Sequence, residues 1–356
     1  MNDDAHSRLK LDAPSFENRS GATNAGGTTA SIRDVAQRAD VSPATVSRVL
    51  TGSAIVKPET RTRVLKAIAD LGYRPNQVAR NLRRQKAEMI GLVIADVENP
   101  FFTEMVRSVE DAAYRLGYRV LLCNTDENAE KQRSYLGVMV AERVLGVILA
   151  PSDPDAEEIG ELLDLGIPLI AFDRAAADAR ADSVTTDNLE AGRVAARHLL
   201  EAGYERIAFI SSPEVVTGVE RLAGYEEIMR LAGLRPRSVS GFSRIEGGMA
   251  ATEELLADAD PPTALIAGNG QMGIGALKAL RARGLTIPRQ MALVMVDDPF
   301  WAEITGPPLT ALAQPVRQMA ERMIELLVDR LNTGRDEPRH VVFDFELRVR
   351  ASSQSV

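Results

Sequence analysis

The chain has 356 residues, of which 45% are hydrophobic and 26% charged, and its formal net charge at pH 7 is −8. The length predicts two or three domains, and the composition is that of an ordinary globular protein. There is no run of eighteen apolar residues and no apolar core of a secretory signal at the N-terminus, so we expect a cytoplasmic protein without a membrane span. The single cysteine, Cys123, excludes an intrachain disulfide and is expected to be a buried thiol.

The negative charge is unevenly distributed. Residues 31–88 contain twelve Lys or Arg and five Asp or Glu, a net charge of +7, whereas residues 89–356 carry −14. A short basic segment on an acidic body is typical of a DNA-binding headpiece joined to a regulatory domain. The alternative is chance clustering on a solvated helical face, and charge alone does not separate the two.

Residues 1–30 include GATNAGGTTA and show almost no apolar periodicity, which predicts a disordered tail. Residues 31–74 then predict three helices. The first begins after Ser31, with Asp34 three positions later in a capping-box arrangement. Its apolar face consists of Ile32, Val35, Ala36 and Ala39.

The second helix follows after a corner of only two residues, Asp40 and Val41. Ser42 is its predicted N-cap and Pro43 its first residue, where the missing N–H has no helical partner to lose. Its predicted inward residues are Val46, Val49 and Leu50. The third helix is predicted to begin at Pro58 and end at Gly72, and to bury Val64, Leu65, Ile68 and Leu71.

Two short helices joined by a tight corner on a basic segment indicate a helix-turn-helix, whose second helix enters the major groove. The residues expected on its reading face are Pro43, Ala44 and Arg48. Arg48 suits a bidentate contact with guanine. The hydroxyls suited to phosphate are those of Ser31, Thr45 and Ser47. Alternatively, Ser42, Thr45 and Ser47 are only caps and surface residues of a small helical bundle.

The segment YRPNQVARNLRRQKAE comes next. Pro75 ends the preceding helix, and Asn76 caps a new one of about one and a half turns. A helix this short is marginal alone and needs a partner to form.

From Met89 onward, apolar runs of strand length alternate with amphipathic helices. The predicted strands are the runs MIGLVIADV, YRVLLCNT, GVILAPS, PLIAFDR, RIAFISS, TALIAGN and MALVMVDD. Continuous apolar strands separated by helices predict parallel sheets covered on both faces. Six or more such units predict two doubly wound lobes.

The run IRDVAQRADVSPATVSRVLTG, followed by KPETRTRVLKAIADLGYRPNQVARNLR, resembles the lactose-repressor (LacI/GalR) family of transcription regulators. The resemblance covers about residues 31–350. It includes the family pattern Tyr-x-Pro-x-x-x-Ala-x-x-Leu, here at Tyr73, Pro75, Ala79 and Leu82. One departure is Asp40, where the family usually has glycine; Asp tolerates the left-handed conformation better than most residues.

The resemblance implies that residues 76–83 form a hinge helix only on DNA. Two hinge helices would pair in a homodimer, with Leu82 wedged into the minor groove of a palindromic operator. The DNA-binding residues expected on these grounds are Ser31, Pro43, Ala44, Thr45, Ser47, Arg48, Asn76, Ala79, Leu82 and Arg83.

The rest of the chain resembles the family's effector-binding core, which is shared with periplasmic sugar-binding proteins. Such cores bind ligand between two lobes, at the carboxyl ends of the strands. The expected effector-binding residues are Phe101, Phe102, Asp173, Arg221, Phe242, Asn269, Asp297 and Trp301. Arg221 and Asp297 match the family's polar ligands best, and Trp301 is our candidate for a stacking wall. The alternatives are core packing for Phe101 and Phe102, and a cap or salt bridge for Asp297.

The segment GNGQMG, residues 268–273, also fits Gly-x-Gly-x-x-Gly after a strand, which is a dinucleotide-binding pattern. Compared with the family it is a substituted segment, with Gly270 in place of Asp. We find no catalytic constellation, metal-ligand spacing or phosphate loop, and His198 is expected to be packed. We therefore predict neither a cofactor nor a metal.

The fold class predicted is multidomain, with an all-α helix-turn-helix headpiece and an α/β two-lobed effector domain like the periplasmic binding proteins. The predicted divisions are a tail (1–30), headpiece (31–75), hinge and linker (76–87), effector and dimerisation domain (88–350) and tail (351–356). The predicted function is an allosteric DNA-binding repressor, not an enzyme, controlled by a small molecule of the sugar class. No heptad tail is present, which favours a dimer. The alternatives are a small-molecule-binding protein without a DNA role and a nucleotide-dependent oxidoreductase.

Overall fold

A computed structural model describes residues 32–50, 56–71 and 89–354 of the chain. Residue contacts divide the chain into two units, 1–85 and 86–356. The expected N-terminal tail and the hinge helix lie outside the described residues, and so do Ser31, Asn76, Ala79, Leu82 and Arg83. The expected C-terminal tail is described as far as Gln354, and its residues Ser352 and Ser353 are buried. The division of the chain into headpiece, hinge and effector domain therefore stays a proposal.

The first unit contains α1 (Ile32–Arg38), α2 (Pro43–Leu50) and α3 (Pro58–Asp70). As predicted, α2 begins at Pro43, and the Ser42 hydroxyl accepts a hydrogen bond from the backbone N–H of Thr45 at 3.2 Å. Asp40 has φ +50°, so the corner takes the left-handed conformation that the sequence required there. The buried residues of this unit are Val35, Ala36, Ala39, Val46, Val49, Val64 and Ala67.

Two residues of α3 that we expected in this core are exposed. Leu65 is 53% exposed and Leu71 36% exposed, so both predictions were wrong. The inward stripe of α3 is narrow because Val64, Ala67 and Ile68 already fill the i, i+3, i+4 positions that face α1 and α2. Leu65 lies about 100° around the helix from Val64, and Leu71 follows the end of the helix.

The second unit alternates strands and helices. In chain order its elements are β1 (Met89–Ile94), α4 (Pro100–Arg115), β2 (Arg119–Asn124), α5 (Ala129–Ala141), β3 (Val147–Leu149), α6 (Glu157–Asp164), β4 (Leu169–Phe172), β5 (Asp182–Thr186), α7 (Asn188–Glu201), β6 (Ile207–Ser211), α8 (Val216–Leu231), β7 (Ser238–Ser240), α9 (Ile245–Ala257), β8 (Ala264–Ala267), α10 (Gly270–Ala282), β9 (Ala292–Val296), α11 (Trp301–Ile304), β10 (Thr310–Ala313), α12 (Val316–Thr333), β11 (His340–Phe343), β12 (Glu346–Arg348) and a 3₁₀ turn (Ala351–Ser353).

The strands form two six-stranded sheets, one in each lobe. Their orders are β11-β5-β4-β3-β1-β2 and β12-β10-β9-β8-β6-β7. All pairs are parallel except β10 with β12; typical registers are Leu92 with Leu122 and Ile148, and Leu265 with Ala208 and Leu293. Apolar clusters cover both faces of each sheet. The prediction of two doubly wound lobes is confirmed.

Apolar periodicity did not predict β5, β7, β10 and β12. For β11 it predicted only that a strand starts at His340. These strands are three to five residues long, and sequences such as DSVTT and SVS lack the apolar run that identifies a buried strand. Cys123 is only partly buried, because β2 is the edge strand of its sheet. His198 is partly buried, in agreement with the expectation that it is packed, and its Nε2 lies 2.7 Å from the Ser353 hydroxyl.

Within residues 89–354 the chain passes between the lobes three times, after β5, after β10 and after β11. The carboxyl ends of the strands of both lobes therefore face a common cleft. None of the helices in the described part of the chain is long and apolar enough to cross a membrane.

Candidate ligand-binding cleft

The cleft contains two adjoining cavities that share Asn99, Phe101, Asp297 and Gln314 in their walls. The first, here the Arg221 cavity, is also lined by Phe102, Glu127, Asp173, Arg174, Arg221 and Asn269. The second, the Gly270 cavity, is also lined by Glu104, Gly270, Asp298, Pro299 and Arg348. They contain about 370 and 520 Å³ of space, part of it open to solvent.

Arg221 is held rigidly at the floor of the first cavity. It lies in the second turn of α8, which begins at Val216. Its side chain is buried; Nε donates to Asn188 Oδ1 at 2.8 Å and Nη1 to the Gly268 carbonyl at 2.8 Å. The guanidinium also lies 5.7 Å from the centre of the Phe345 ring. These contacts fix the fork and leave Nη2 as a donor for a ligand.

Asp297 follows β9 and faces Arg221 from the other side of the cavity. Its backbone is left-handed, with φ +70°. Its carboxylate accepts from Gln314 Nε2 at 2.7 Å and from the Gly270 N–H at 3.3 Å. Burial raises the pKa of Asp297, although the opposing charge of Arg221 lowers it. A desolvated carboxylate with acceptor capacity to spare is suited to the hydroxyl donors of a ligand.

Asp173 occupies the corresponding place in the first lobe. It follows β4, which is the fourth strand of the first lobe in chain order, just as β9 is the fourth strand of the second lobe. The backbone of Asp173 is also left-handed, with φ +66°. Backbone strain of this kind concentrates at functional sites. Asp173 and Asp297, both predicted from their positions at strand ends, are two buried carboxylates, one from each lobe, that line the same cavity.

An ion triplet accompanies Asp173, in which Asp173 and Arg174 are buried and Glu127 is partly exposed. Arg174 donates through Nη1 and Nη2 to the two oxygens of Glu127, at 3.0 and 2.6 Å, and through Nε to Asp173 at 3.1 Å. Burial lowers the pKa of Arg174, but the charges of Asp173 and Glu127 outweigh it and raise the pKa above its ordinary value. Sequence reasoning missed Glu127, which lies just after β2; applying the strand-end rule to that strand as well would have found it.

Asn269, Phe101 and Phe102 have both a structural role and a place in the cavity wall. The Asn269 side chain caps α10 by accepting from the Met272 N–H at 2.8 Å, and its amide donates to the Ser243 hydroxyl. Phe101 and Phe102 belong to the first-lobe core, with ring centres 5.0 Å apart in an edge-to-face contact. We stated core packing and cavity lining as alternatives for the two phenylalanines, and the structure shows both roles for each of them.

The structure does not bring Phe242 or Trp301 to either cavity. Phe242 is 76% exposed in the loop before α9. Trp301 begins α11 and packs against the core of the second lobe. Its ring is therefore used in packing, and we no longer propose it as a stacking wall.

Gln314 is a second cavity residue that sequence reasoning missed. It lies on the crossover after β10, where it accepts from the Thr186 hydroxyl at 3.2 Å and donates to Asp297. Deeper between the lobes, Gln271 Nε2 donates to Asp96 at 3.1 Å. These bonds connect the two lobes and the crossovers directly to the cavity walls.

The GNGQMG segment forms the start of α10 in this cleft. The N–H of Gly270 is bound to Asp297, so a dinucleotide phosphate would meet a carboxylate at the position where the motif needs a free donor. This geometry argues against the dinucleotide interpretation. Among the described residues, no group of three or more His, Cys, Asp or Glu side chains is placed to hold a metal.

In the first unit, Pro43, Ala44 and Arg48 are exposed at the start and middle of α2. The Thr45 hydroxyl lies 3.0 Å from that of Ser42, so the capping role that we posed as the alternative is present. Ser47 lies in α2, but its side chain is outside the described part of the structure.

Two family models match the chain. Residues 31–76 match the bacterial regulatory proteins of the lacI family, and residues 196–353 match a periplasmic binding protein-like domain. The catabolite control protein A of Priestia megaterium is 32% identical over 91% of this chain and 99% of its own. The ribose operon repressor of Halalkalibacterium halodurans is 38% identical over 84% and 90%.

Solved structures agree with these matches. A complex of the transcriptional regulator CelR with cellobiose is 33% identical, covers 91% of this chain and 99% of its own, and has a TM-score of 0.68. The lac repressor dimer bound to operator and the anti-inducer ONPF has a TM-score of 0.80 over 92% and 100%; at 24% identity it supports the fold alone.

Proposed function

The chain belongs to the lacI family of bacterial regulatory proteins, and on that basis we propose that it is a sequence-specific, DNA-binding repressor whose operator affinity is controlled by a small hydroxyl-rich molecule bound in the cleft. We propose a homodimer on a palindromic operator, acting in the cytoplasm where that DNA lies. Its relatives are named as regulators, and we propose that this chain likewise acts by binding without catalysis.

The observation that carries the effector part of the proposal is that Arg221 and Asp297 of the second lobe and Asp173 of the first line one cavity. A guanidinium, two carboxylates and an amide match the alternating donors and acceptors of a sugar, and Phe101 supplies an apolar wall. A ligand that bridges the lobes stabilises one angle between them, because both lobes contribute buried polar groups that it satisfies.

The headpiece supports the DNA part of the proposal. The basic segment 31–88 carries +7, and α2 exposes Pro43, Ala44 and Arg48. We propose that the lobe angle sets the spacing of two hinge segments, residues 76–83, in the dimer. Ligand binding then changes operator affinity by a coupling free energy of typically 1–3 kcal/mol.

Selection from a random palindromic library, followed by fluorescence anisotropy on the enriched sequence, tests the DNA part. We expect tight binding that weakens steeply with salt and that responds to a sugar found in a thermal-shift screen. Enrichment of no sequence, or an affinity that no member of a sugar and polyol panel changes, would contradict the proposal.

A further inference from the structure

The Gly270 cavity has no role in the binding scheme described so far. It adjoins the Arg221 cavity, with which it shares the wall residues Asn99, Phe101, Asp297 and Gln314. It is the larger of the two, with about 520 Å³ of space against about 370 Å³. A ligand that fills only the Arg221 cavity leaves this space unused.

The glycine at position 270 is not required by the backbone or by packing. At Gly192 and Gly224, an added Cβ would lie 1.9 Å from a backbone oxygen of the neighbouring helix, so those positions need glycine. At Gly270 the nearest atoms would be Asp297 Cβ at 3.6 Å and Pro299 Cδ at 4.0 Å, which are ordinary contacts, and its φ is not left-handed. Gly270 is the first residue of α10, where the fold would accept a side chain, and its lack of one leaves space in the cavity.

The charged groups around this cavity indicate what it accepts. Its wall contains the carboxylates of Glu104, Asp297 and Asp298 and one cation, Arg348. Arg348 is already bound to Asp298 at 2.8 Å and to Glu346 at 2.9 Å. Arg350 also binds both oxygens of Asp298, so the carboxylates with acceptor capacity to spare are those of Glu104 and Asp297. Within the described residues no hydrogen bond is made to the exposed carboxylate of Glu104. The wall therefore offers acceptors to hydroxyl donors and repels an anion.

We propose that the Gly270 cavity is a second subsite of the cleft, which holds the second unit of a neutral, two-unit ligand of the disaccharide or glycoside class, and that the absence of a side chain at Gly270 makes room for that unit. This inference rests on the proposed function, since it assigns the ligand class of the same cleft. Asp297, which borders both cavities, lies where the two units join.

Isothermal titration calorimetry on the full chain tests the subsite with cellobiose against glucose, lactose against galactose, and maltose against glucose. Gly270→Ala and Gly270→Leu fill the cavity by increasing amounts. Gly137→Ala is the matched control, because Gly137 lies in α5 and an added Cβ there meets nothing within 4 Å. Thermal melting of each variant reports the fold; we expect no loss of stability from either alanine.

We expect at least one disaccharide to bind the wild type about tenfold or more tightly than its component monosaccharide. Gly270→Ala should weaken that disaccharide by about 5- to 150-fold, the range for overpacking, and Gly270→Leu further. Monosaccharide affinity should stay within about twofold in all variants, and Gly137→Ala should change neither affinity.

Equal binding of monosaccharides and disaccharides, or Gly270 variants that weaken both alike or neither, overturns the subsite while leaving the repressor function intact. A chain that binds none of these sugars contradicts both the subsite and the proposed effector class. Operator binding measured on the same samples then shows whether the DNA-binding function survives.

Discussion

Replacing Asp297 by asparagine should separate ligand binding from folding. The carboxylate is only 8% exposed and accepts from Gln314 and Gly270, and Arg221 lies opposite. Asparagine preserves the shape of the side chain but has only one acceptor oxygen. Its NH2 group therefore faces either the Gln314 amide or the Gly270 N–H, both of which are donors. A ligand hydroxyl then loses a charge-assisted hydrogen bond, which contributes about 1.5–3 kcal/mol. We expect ligand affinity to fall by about 10- to 150-fold.

Folding should respond differently. Because burial raises the pKa of Asp297, the ionised carboxylate destabilises the ligand-free fold at neutral pH, and Asp297→Asn removes that charge. The free variant should therefore melt close to the wild-type temperature, because removal of the buried charge offsets the hydrogen bond that the amide cannot make. The measurement is calorimetry with the sugar that gives the largest thermal shift on the wild type, together with melting of the free protein.

Asp182→Asn is the matched control, because it removes a buried carboxylate outside the cleft. Asp182 is fully buried and accepts from Arg330 at 2.8 Å and Arg335 at 2.9 Å. Breaking a buried pair costs about 3–5 kcal/mol, so this variant should lose stability of that order while ligand affinity stays within about twofold. The reasoning fails if Asp297→Asn binds the sugar with unchanged affinity, or if Asp182→Asn loses affinity as strongly.

Three further outcomes are expected. Arg48→Ala should weaken binding to the selected palindrome by about 1–3 kcal/mol while non-specific binding persists. Lys66→Ala on α3 should leave the preference for that palindrome unchanged. Equal losses of affinity for the palindrome and for non-specific DNA in anisotropy titrations of Arg48→Ala would contradict a reading role for Arg48. Burial raises the pKa of both Asp297 and Glu127, so sugar affinity should fall as pH decreases through these raised pKa values, because the protonated acids lose acceptor capacity. Calorimetry between pH 7 and pH 4 checks this, and Asp297→Asn should make the profile shallower, leaving only the part due to Glu127. Phe242→Ala should leave sugar affinity within about twofold, since the side chain is exposed outside both cavities, and a tenfold loss would show that its loop closes over the ligand.

Local patterns in the sequence predicted much of the fold. The start of α2 at Pro43 follows from Ser42 and Pro43 alone, because capping and proline preferences act over three or four residues. The seven apolar runs are all strands, and six of them are apolar because they are buried on both faces; β2, at the edge of its sheet, is only partly buried. The same reasoning failed for β5 and β7, which are short and polar, and for Leu65, whose exposure depends on how many residues α1 and α2 cover.

The strand-end rule also predicted part of the cleft. Asp173 and Asp297 were found because parallel strands bring their carboxyl ends together at one edge, and the family resemblance added Arg221. The strand-end rule did not predict that Trp301 packs against the core of the second lobe, because the path of the loop after β9 decides where that side chain lies.

By itself, then, the sequence determined the order of elements, the corner of the helix-turn-helix and the two strand-end carboxylates, since each depends on short-range preferences or on the topology of parallel sheets. Only the tertiary structure decided which groups these carboxylates face. Glu127 and Gln314 reach the cavity from loops 46 residues before Asp173 and 17 after Asp297. The partner of a buried polar group is set by three-dimensional distance and desolvation, which no local pattern of residues records.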